Sequence, residues 1–251
     1  MLGRALRSLI RRPVYWAASR LGYRLYSVGG LPYGIDVWLD VERLAKSWGI
    51  ELATMFDVGA NVGQTALSMK KRWPNARIVC FEPTGATFKK LQENIRPLLQ
   101  VEAHNIALGN APGVVDLFTY ENTLINSLLP DAQTVTRFEA AAKKETCTVR
   151  TLDEVLRTEK IRRINLLKID TEGYDLPILE GAANSLQEGL VDFIYVEFNT
   201  IMAKAGSSGG ALAPLASFLA PFRFHFVAAY TDYVVMEGDF FSVSNALFAR
   251  H

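Results

Sequence analysis

Apolar runs of strand length alternate with amphipathic stretches of helix length from residue 51 to residue 251. This predicts an α/β fold, a mostly parallel sheet flanked by helices, with an added N-terminal helical arm. Two further observations support that class. Segments such as Ile78-Val79-Cys80-Phe81 are unbroken apolar runs, as strands buried on both faces require. Polar residues then recur where such strands should end, at Asp57, Glu82, Asn105, Asp170 and Glu197. Open α/β sheets bind their ligands beyond those carboxyl ends. A chain of 251 residues, 49% hydrophobic and 21% charged, holds one such domain with a little to spare.

Residues 1–50 read as the basic, helical arm and residues 51–251 as the domain. The arm carries Arg4, Arg7, Arg11, Arg12, Arg20 and Arg24 and no acid before Asp36. Leu2, Leu6, Leu9 and Ile10 share one helical face, and Tyr15 and Trp16 follow Pro13. Such a segment either packs on the domain or lies on an anionic membrane surface, so residues 1–24 are a candidate peripheral membrane contact. Arg20 and Arg24 interrupt what would be the apolar part of a twin-arginine signal, and no run of about 18 apolar residues exists. The expectation is a cytoplasmic protein, with the arm as its route to the inner face of a membrane. A net charge of +1 excludes a general nucleic-acid binder. Two distant cysteines, Cys80 and Cys147, exclude a disulfide framework and a cysteine-rich metal site.

The elements follow in order. Residues 34–50 predict a helix, 54–58 a strand, 62–72 a helix ending at Trp73-Pro74, and 77–81 a second strand. Thr84 can cap a helix over 85–96, and a third strand follows at 101–106. Residues 113–120 and 145–150 alternate apolar and polar, as an added edge pair would, with a long loop or lid at 121–144 between them. A helix at 152–158 precedes strand four at 164–169. Helix 174–187 tolerates Pro177 in its first turn. Strand five is 191–196, a Gly/Ser-rich break falls at 206–210, and helix 211–219 leads to strands at 222–229 and 245–250. An exposed loop is expected at 231–243.

The chemistry concentrates in Phe56-Asp-Val-Gly-Ala-Asn-Val-Gly63, a strand that runs into a turn and then a helix. Gly59 and Gly63 permit a sharp turn and close approach of a ligand to the backbone. Asn61 suits the N-cap of the next helix, whose free amides favour an anionic group. Asp57 would repel a pyrophosphate and attract a cationic or hydroxyl-bearing ligand. Glu82, 23 positions after Gly59, has the spacing of an acid that grips ribose hydroxyls. S-adenosylmethionine offers an ammonium, a carboxylate and a ribose to match. A nicotinamide dinucleotide is the rival, but Asn61 replaces the second glycine of Gly-x-Gly-x-x-Gly.

With these residues assembled, the chain resembles the FkbM family of S-adenosylmethionine-dependent methyltransferases. The resemblance runs from about residue 54 to residue 199. It rests on Phe56–Gly63, Phe81-Glu-Pro83, Asn105-Ile-Ala-Leu-Gly109, Asn126-Ser127-Leu128 and Thr151-Leu-Asp153. Leu167-Lys-Ile-Asp-Thr-Glu-Gly-Tyr-Asp175, Leu179-Glu-Gly181 and Val196-Glu197 complete the ordered set. The family often has Glu where this chain has Asp175. The resemblance implies a seven-stranded, Rossmann-like sheet of the class I methyltransferase type, with order 3-2-1-4-5-7-6 and the last strand antiparallel. It also implies O-methylation of a hydroxyl on a sugar, glycolipid, polysaccharide or polyketide-like product. By position, Gly59, Asn61 and Gly63 would hold the methionyl part, Glu82 the ribose, and Asn105 and Ala107 the adenine. Asp170 would sit near the sulfonium methyl.

Methylating an alcohol requires a group to take its proton. His104, His225 and His251 are poorly placed by sequence, so Asp170, Glu172 and Glu197 are the candidate bases. Asp170, Glu197 and Asn199 also form a candidate oxygen set for magnesium. Two other functions remain open at this point: a nicotinamide-dependent oxidoreductase, and a catalytically idle cofactor-binding module of a glycan-assembly complex. The expected acceptor is a hydroxylated small molecule or glycan, and no nucleic acid is expected.

Overall fold

A computed structural model describes residues 13–27, 30–119, 143–171, 173–199, 211–235 and 241–251. Residues 1–12 of the arm, all but the last two residues of the loop expected over 121–144, Glu172 and the break at 206–210 lie outside the described residues.

After a helical segment at 13–20, helix α1 spans Val37–Trp48. It is shorter than the expected 34–50 because both ends are capped. Asp36 accepts a hydrogen bond from the Leu39 amide at 3.0 Å, and Gly49 turns left-handed at the other end. The domain continues with β1 (Thr54–Val58), α2 (Gln64–Arg72), β2 (Arg77–Phe81), α3 (Gly85–Ile95) and β3 (Val101–His104). Next come β4 (Ala107–Leu108), β5 (Gly113–Thr119), β6 (Lys143–Arg150), α4 (Leu152–Thr158) and β7 (Ile164–Ile169). Helices α5 (Asp175–Glu180) and α6 (Ala183–Gln187), β8 (Val191–Asn199), α7 (Leu212–Leu219), β9 (Phe224–Val235) and β10 (Phe241–Arg250) complete it.

The main sheet has the order β3-β2-β1-β7-β8-β10-β9, with β10 antiparallel to both of its neighbours. This is the expected 3-2-1-4-5-7-6 order. The chain builds outward from β1 to β2 and β3 on one side and then returns to place β7 on the other, so the switch point of the sheet lies between β1 and β7. Two-residue alternation splits the core into two layers. Phe56, Val79, Leu167 and Ile194 face α4–α7, whereas Met55, Ile78, Leu166 and Phe193 face α1–α3. The expected edge pair is present as β5 and β6, joined by the short β4 into a separate three-stranded sheet.

Three further departures from expectation are larger than a shifted helix end. The helix expected over 174–187 breaks at Gly181-Ala182. A Cβ at Gly181 would lie 2.0 Å from the Gly109 carbonyl oxygen, so this backbone contact needs glycine. The Asp153 carboxylate then accepts from the Asn184 and Ser185 amides and restarts the helix as α6. Strand β8 runs to Asn199 rather than 196, because its last residues pair with β10. The expected loop at 231–243 is strand at both ends. β9 reaches Val235 and β10 begins at Phe241, with a bulge at Asp232.

Candidate active site

The cleft lies beyond the carboxyl ends of β1, β2 and β7. Its first corner is made almost wholly by backbone. Gly59 has φ +74°, and both the Gly59 and Ala60 amides donate to the Phe81 carbonyl at 3.0 Å. A Cβ on Gly59 would stand 1.9 Å from the Asp170 carbonyl oxygen, so glycine is what lets the β1 turn meet the end of β7. Asn61 is left-handed as well (φ 49°), and its amide donates to Glu82 Oε2 at 3.0 Å. The Thr84 amide donates to Glu82 Oε1 at 2.9 Å. Burial pushes the Glu82 carboxyl above its ordinary range, and these amide bonds oppose that rise.

Asn61 does not cap the next helix, as its sequence position suggested. Helix α2 starts two residues later, with Gly63 at the cap and no side-chain capping bond. The Asn61 Oδ1 atom is buried at the cleft without a hydrogen-bond partner. Asn105 is exposed and holds the corner from outside: its Nδ2 donates to the Glu82 and Pro83 carbonyls, each at 2.9 Å. It does not line the cleft. Ala107 does, with Ile106, Leu108 and, from β5, Leu117 making an apolar wall.

The second corner, where β7 turns into α5, is held by side-chain charge. Lys168 is buried, with Nζ 3.0 Å from Asp57 Oδ1, 3.4 Å from Asp170 Oδ2 and 3.2 Å from the Gly59 carbonyl. Burial works against its ammonium, but the Asp57 and Asp170 carboxylates outweigh burial and hold its pKa above the ordinary lysine value. The expectation that Asp57 faces a cationic ligand is thereby corrected. Alternation turns Asp57 to the Met55 face of β1, beneath the cleft, where it is fully buried and its cation is Lys168. Val58, one residue on, is the side chain that lines the cleft.

Asp170, Thr171 and Tyr174 form the wall opposite Glu82. Behind them lies Asp175, 1% exposed, which accepts from the amide and the hydroxyl of Thr171 at 3.2 Å each. Burial and the nearby Asp170 push its pKa up to about 7, although the Thr171 bonds pull it down. Sequence reasoning missed the role of Asp175. The available signal was an acid in the first turn of a helix, four residues after a threonine that lies just past a strand end.

Of the other candidate bases, Glu172 lies outside the described residues. Glu197 is level with Asp170 in register but sits within β8, opposite Asn245 of β10 and 8% exposed, and it does not line the cleft. Strand β8 outruns its expected end by three residues, which puts Glu197 inside the sheet rather than on its rim. Among the described residues no group of three His, Cys, Asp or Glu side chains is placed to hold a metal ion. The side chain of Asn199 lies outside the description, and the magnesium option gains no support. His104 stacks on Phe81 (5.4 Å, 17°), and His251 packs tilted against Trp48 (4.9 Å, 50°). Neither these nor His225 line the cleft.

A family model described as "Methyltransferase FkbM domain" matches residues 57–230. Among curated relatives, the hexuronic acid methyltransferase AglP of Haloferax volcanii is 28% identical over 165 residues, covering 64% of this chain and 62% of that protein. The 31-O-demethyl-FK506 methyltransferase FkbM of Streptomyces tacrolimicus is 26% identical over 215 residues, 74% of this chain and 79% of that one. The chain spans about three fifths of the length of most curated relatives it matches. A solved N-methyltransferase, NodS from Bradyrhizobium japonicum WM9 in complex with S-adenosyl-l-homocysteine, superposes with a TM-score of 0.46 at 9% identity over 84% of each chain.

Proposed function

The chain belongs to the FkbM family of methyltransferases, and from that premise we propose that it transfers the methyl group of S-adenosylmethionine to a hydroxyl oxygen. The acceptor class we assign is a sugar, glycolipid, polysaccharide or polyketide-like alcohol. AglP and the Streptomyces FkbM, named for a hexuronic acid and for 31-O-demethyl-FK506, support it. The nicotinamide reading is set aside by the same family match. The observation that carries the proposal is the β1–β2 corner: a buried carboxylate fixed by two backbone amides, beside an Asn61 oxygen that is buried without a partner. A buried polar atom left unsatisfied is costly. A ligand hydroxyl or ammonium beside it would remove that cost.

The cofactor fits these residues. Glu82 keeps acceptor capacity for the ribose hydroxyls after serving two amides. Gly59 and Asn61 border the methionyl part; Gly63 does not line the cleft but backs onto Leu91 and Ile95 at the uncapped start of α2, a helix end that suits the methionyl carboxylate. Ile106, Ala107 and Leu117 give the adenine an apolar wall. When bound, S-adenosylmethionine supplies an electrophilic methyl on a positively charged sulfur. Asp170 then has the central task. It faces the cleft from the β7 corner, aligns the acceptor hydroxyl and takes its proton as the new C–O bond forms and the C–S bond breaks. Lys168 fixes its carboxylate from below, and Asp175 fixes the following residue through Thr171.

The test uses labelled S-adenosylmethionine with panels of hydroxylated glycans and polyketide-like alcohols, read by mass. Asp170→Asn should lower turnover by roughly 10²–10⁴-fold and leave S-adenosylhomocysteine binding intact by calorimetry. A wild-type chain that binds no S-adenosylhomocysteine sinks the reading as a whole. Unchanged turnover in the variant sinks the role of Asp170 alone.

A further inference from the structure

Seven of the thirteen large apolar side chains left exposed among the described residues fall within residues 14–26: Val14, Tyr15, Trp16, Leu21, Tyr23, Leu25 and Tyr26. Trp16 is 62% and Leu21 75% exposed, while tryptophans 38, 48 and 73 are at least partly covered. Scattered single exposures are ordinary. A run of this density on one short segment marks an interaction surface.

The segment is structured and tethered. Residues 13–20 are helical, and the Tyr23 amide donates to the Ala18 carbonyl at 2.8 Å to close the helix end. Its C-terminal side is fastened to the domain. Arg43 Nη1 donates to the Leu31 carbonyl at 2.6 Å, and the Gly34 amide donates to Asp40 Oδ2 at 2.9 Å. The same carboxylate accepts from the Tyr230 hydroxyl of β9 at 2.8 Å. The attachment is part-buried around the buried Asp40 carboxylate, and residues 14–26 present the apolar and aromatic set to solvent.

Charge decides among occupants. Residues 1–35 contain six arginines and no acid. Two copies meeting arm to arm across a two-fold axis would bring these like charges together. A nucleic acid would satisfy the arginines and could stack on Trp16 and the tyrosines, but it has no use for Val14, Leu21 and Leu25. A bilayer carrying anionic headgroups accepts every component: aliphatic side chains in the outer acyl region, Trp and Tyr at the headgroup level, and arginines on the phosphates. Arg20 already lies over the Trp16 ring, 5.2 Å from its centroid, so cation and aromatic are presented together. We infer that residues 13–26 dock this protein on the surface of a membrane rich in anionic phospholipid. This inference stands apart from the reaction proposed above.

The full chain is sedimented with phosphatidylcholine vesicles, with and without phosphatidylglycerol, at low and high salt. Binding is expected only to the phosphatidylglycerol vesicles, weakened by salt and accompanied by a blue shift of tryptophan emission. Each basic side chain at such a surface contributes roughly fivefold in partitioning. Arg20→Gln with Arg24→Gln should therefore weaken binding on the order of twentyfold. Trp16→Ala should abolish the blue shift. All three positions are exposed, and an unchanged thermal melt would confirm that the fold is kept. Binding that ignores lipid charge or survives these substitutions overturns the inference. So does binding to a single-stranded oligonucleotide in place of vesicles, or arm-dependent dimerisation by sedimentation equilibrium.

Discussion

The β1–β2 corner and the β7–α5 corner face each other across one cleft and hold their acids in different ways. Glu82 is fixed by two main-chain amides, donated by Asn61 and Thr84, so its position follows from the path of the chain. Asp170 and Asp175 are fixed by side-chain charge and by Thr171, over a buried Lys168 that also answers Asp57. The first arrangement leaves acceptor capacity on Glu82 for a ligand and rests mainly on main-chain donors. The second is a network in which each charge is tolerable because of its neighbour. The corner assigned to cofactor binding is rigid by backbone geometry, whereas the corner assigned to chemistry is electrostatically tuned and breakable.

The comparison breaks most easily at Lys168. Lys168→Met leaves Asp57 buried with no cation and should cost about 3–5 kcal/mol in urea unfolding. Adding Asp57→Leu should recover most of that loss. A single variant within about 1 kcal/mol of wild type would remove the contrast between the corners. Asp175 tests the same corner by pH. Its folded-state pKa of about 7 stands above the ordinary 3.8, so the native chain holds the proton more tightly and loses stability as pH rises between those values. Asp175→Asn should match wild type near pH 4 and gain steadily on it up to about pH 7. The gap should reach roughly 4 kcal/mol at most, and a gap independent of pH would mean that Asp175 titrates normally.

The backbone-built corner should respond in affinity rather than in stability. Glu82→Gln removes charge-assisted acceptance of ribose hydroxyls and should weaken S-adenosylhomocysteine binding roughly 10–100-fold by calorimetry. Asn61→Gly keeps the left-handed backbone and deletes the unpartnered Oδ1. Its affinity should fall about three- to tenfold while the melting temperature stays near wild type. A large stability loss in Asn61→Gly would show that the corner depends on that side chain after all.

Much of the first corner was legible in the sequence because it is local. Gly59, Asn61, Gly63 and Glu82 lie within 24 residues, on a strand–turn–helix–strand unit whose periodicity and turn residues announce it. Even there the helix cap was misplaced by two residues, since Asn61 serves the cleft instead of α2. The second corner was half legible. Asp170 was visible at a strand end. The burial of Asp175 and the pairing of Asp57 with Lys168 were not, because each depends on a neighbour that pattern alone does not identify. The long β9–β10 pair was misread in part as a loop. Short stretches of mixed polar and apolar residues look like loops until their partner strand is known.

By itself the sequence determined the alternation of elements, the glycine-bearing turn, the acid that follows it and the one-sided charge of the arm. All of these rest on spacing within a few tens of residues. Only the tertiary structure decided which carboxylates reach the cleft and which are buried beneath it. A strand's two-residue alternation separates inward from outward positions, but sheet order and register decide what lies on each side. Asp57 shows the difference. Its place at the end of β1 was plain from its neighbours in sequence, and its function as the counter-charge of Lys168 came from a strand more than a hundred residues away.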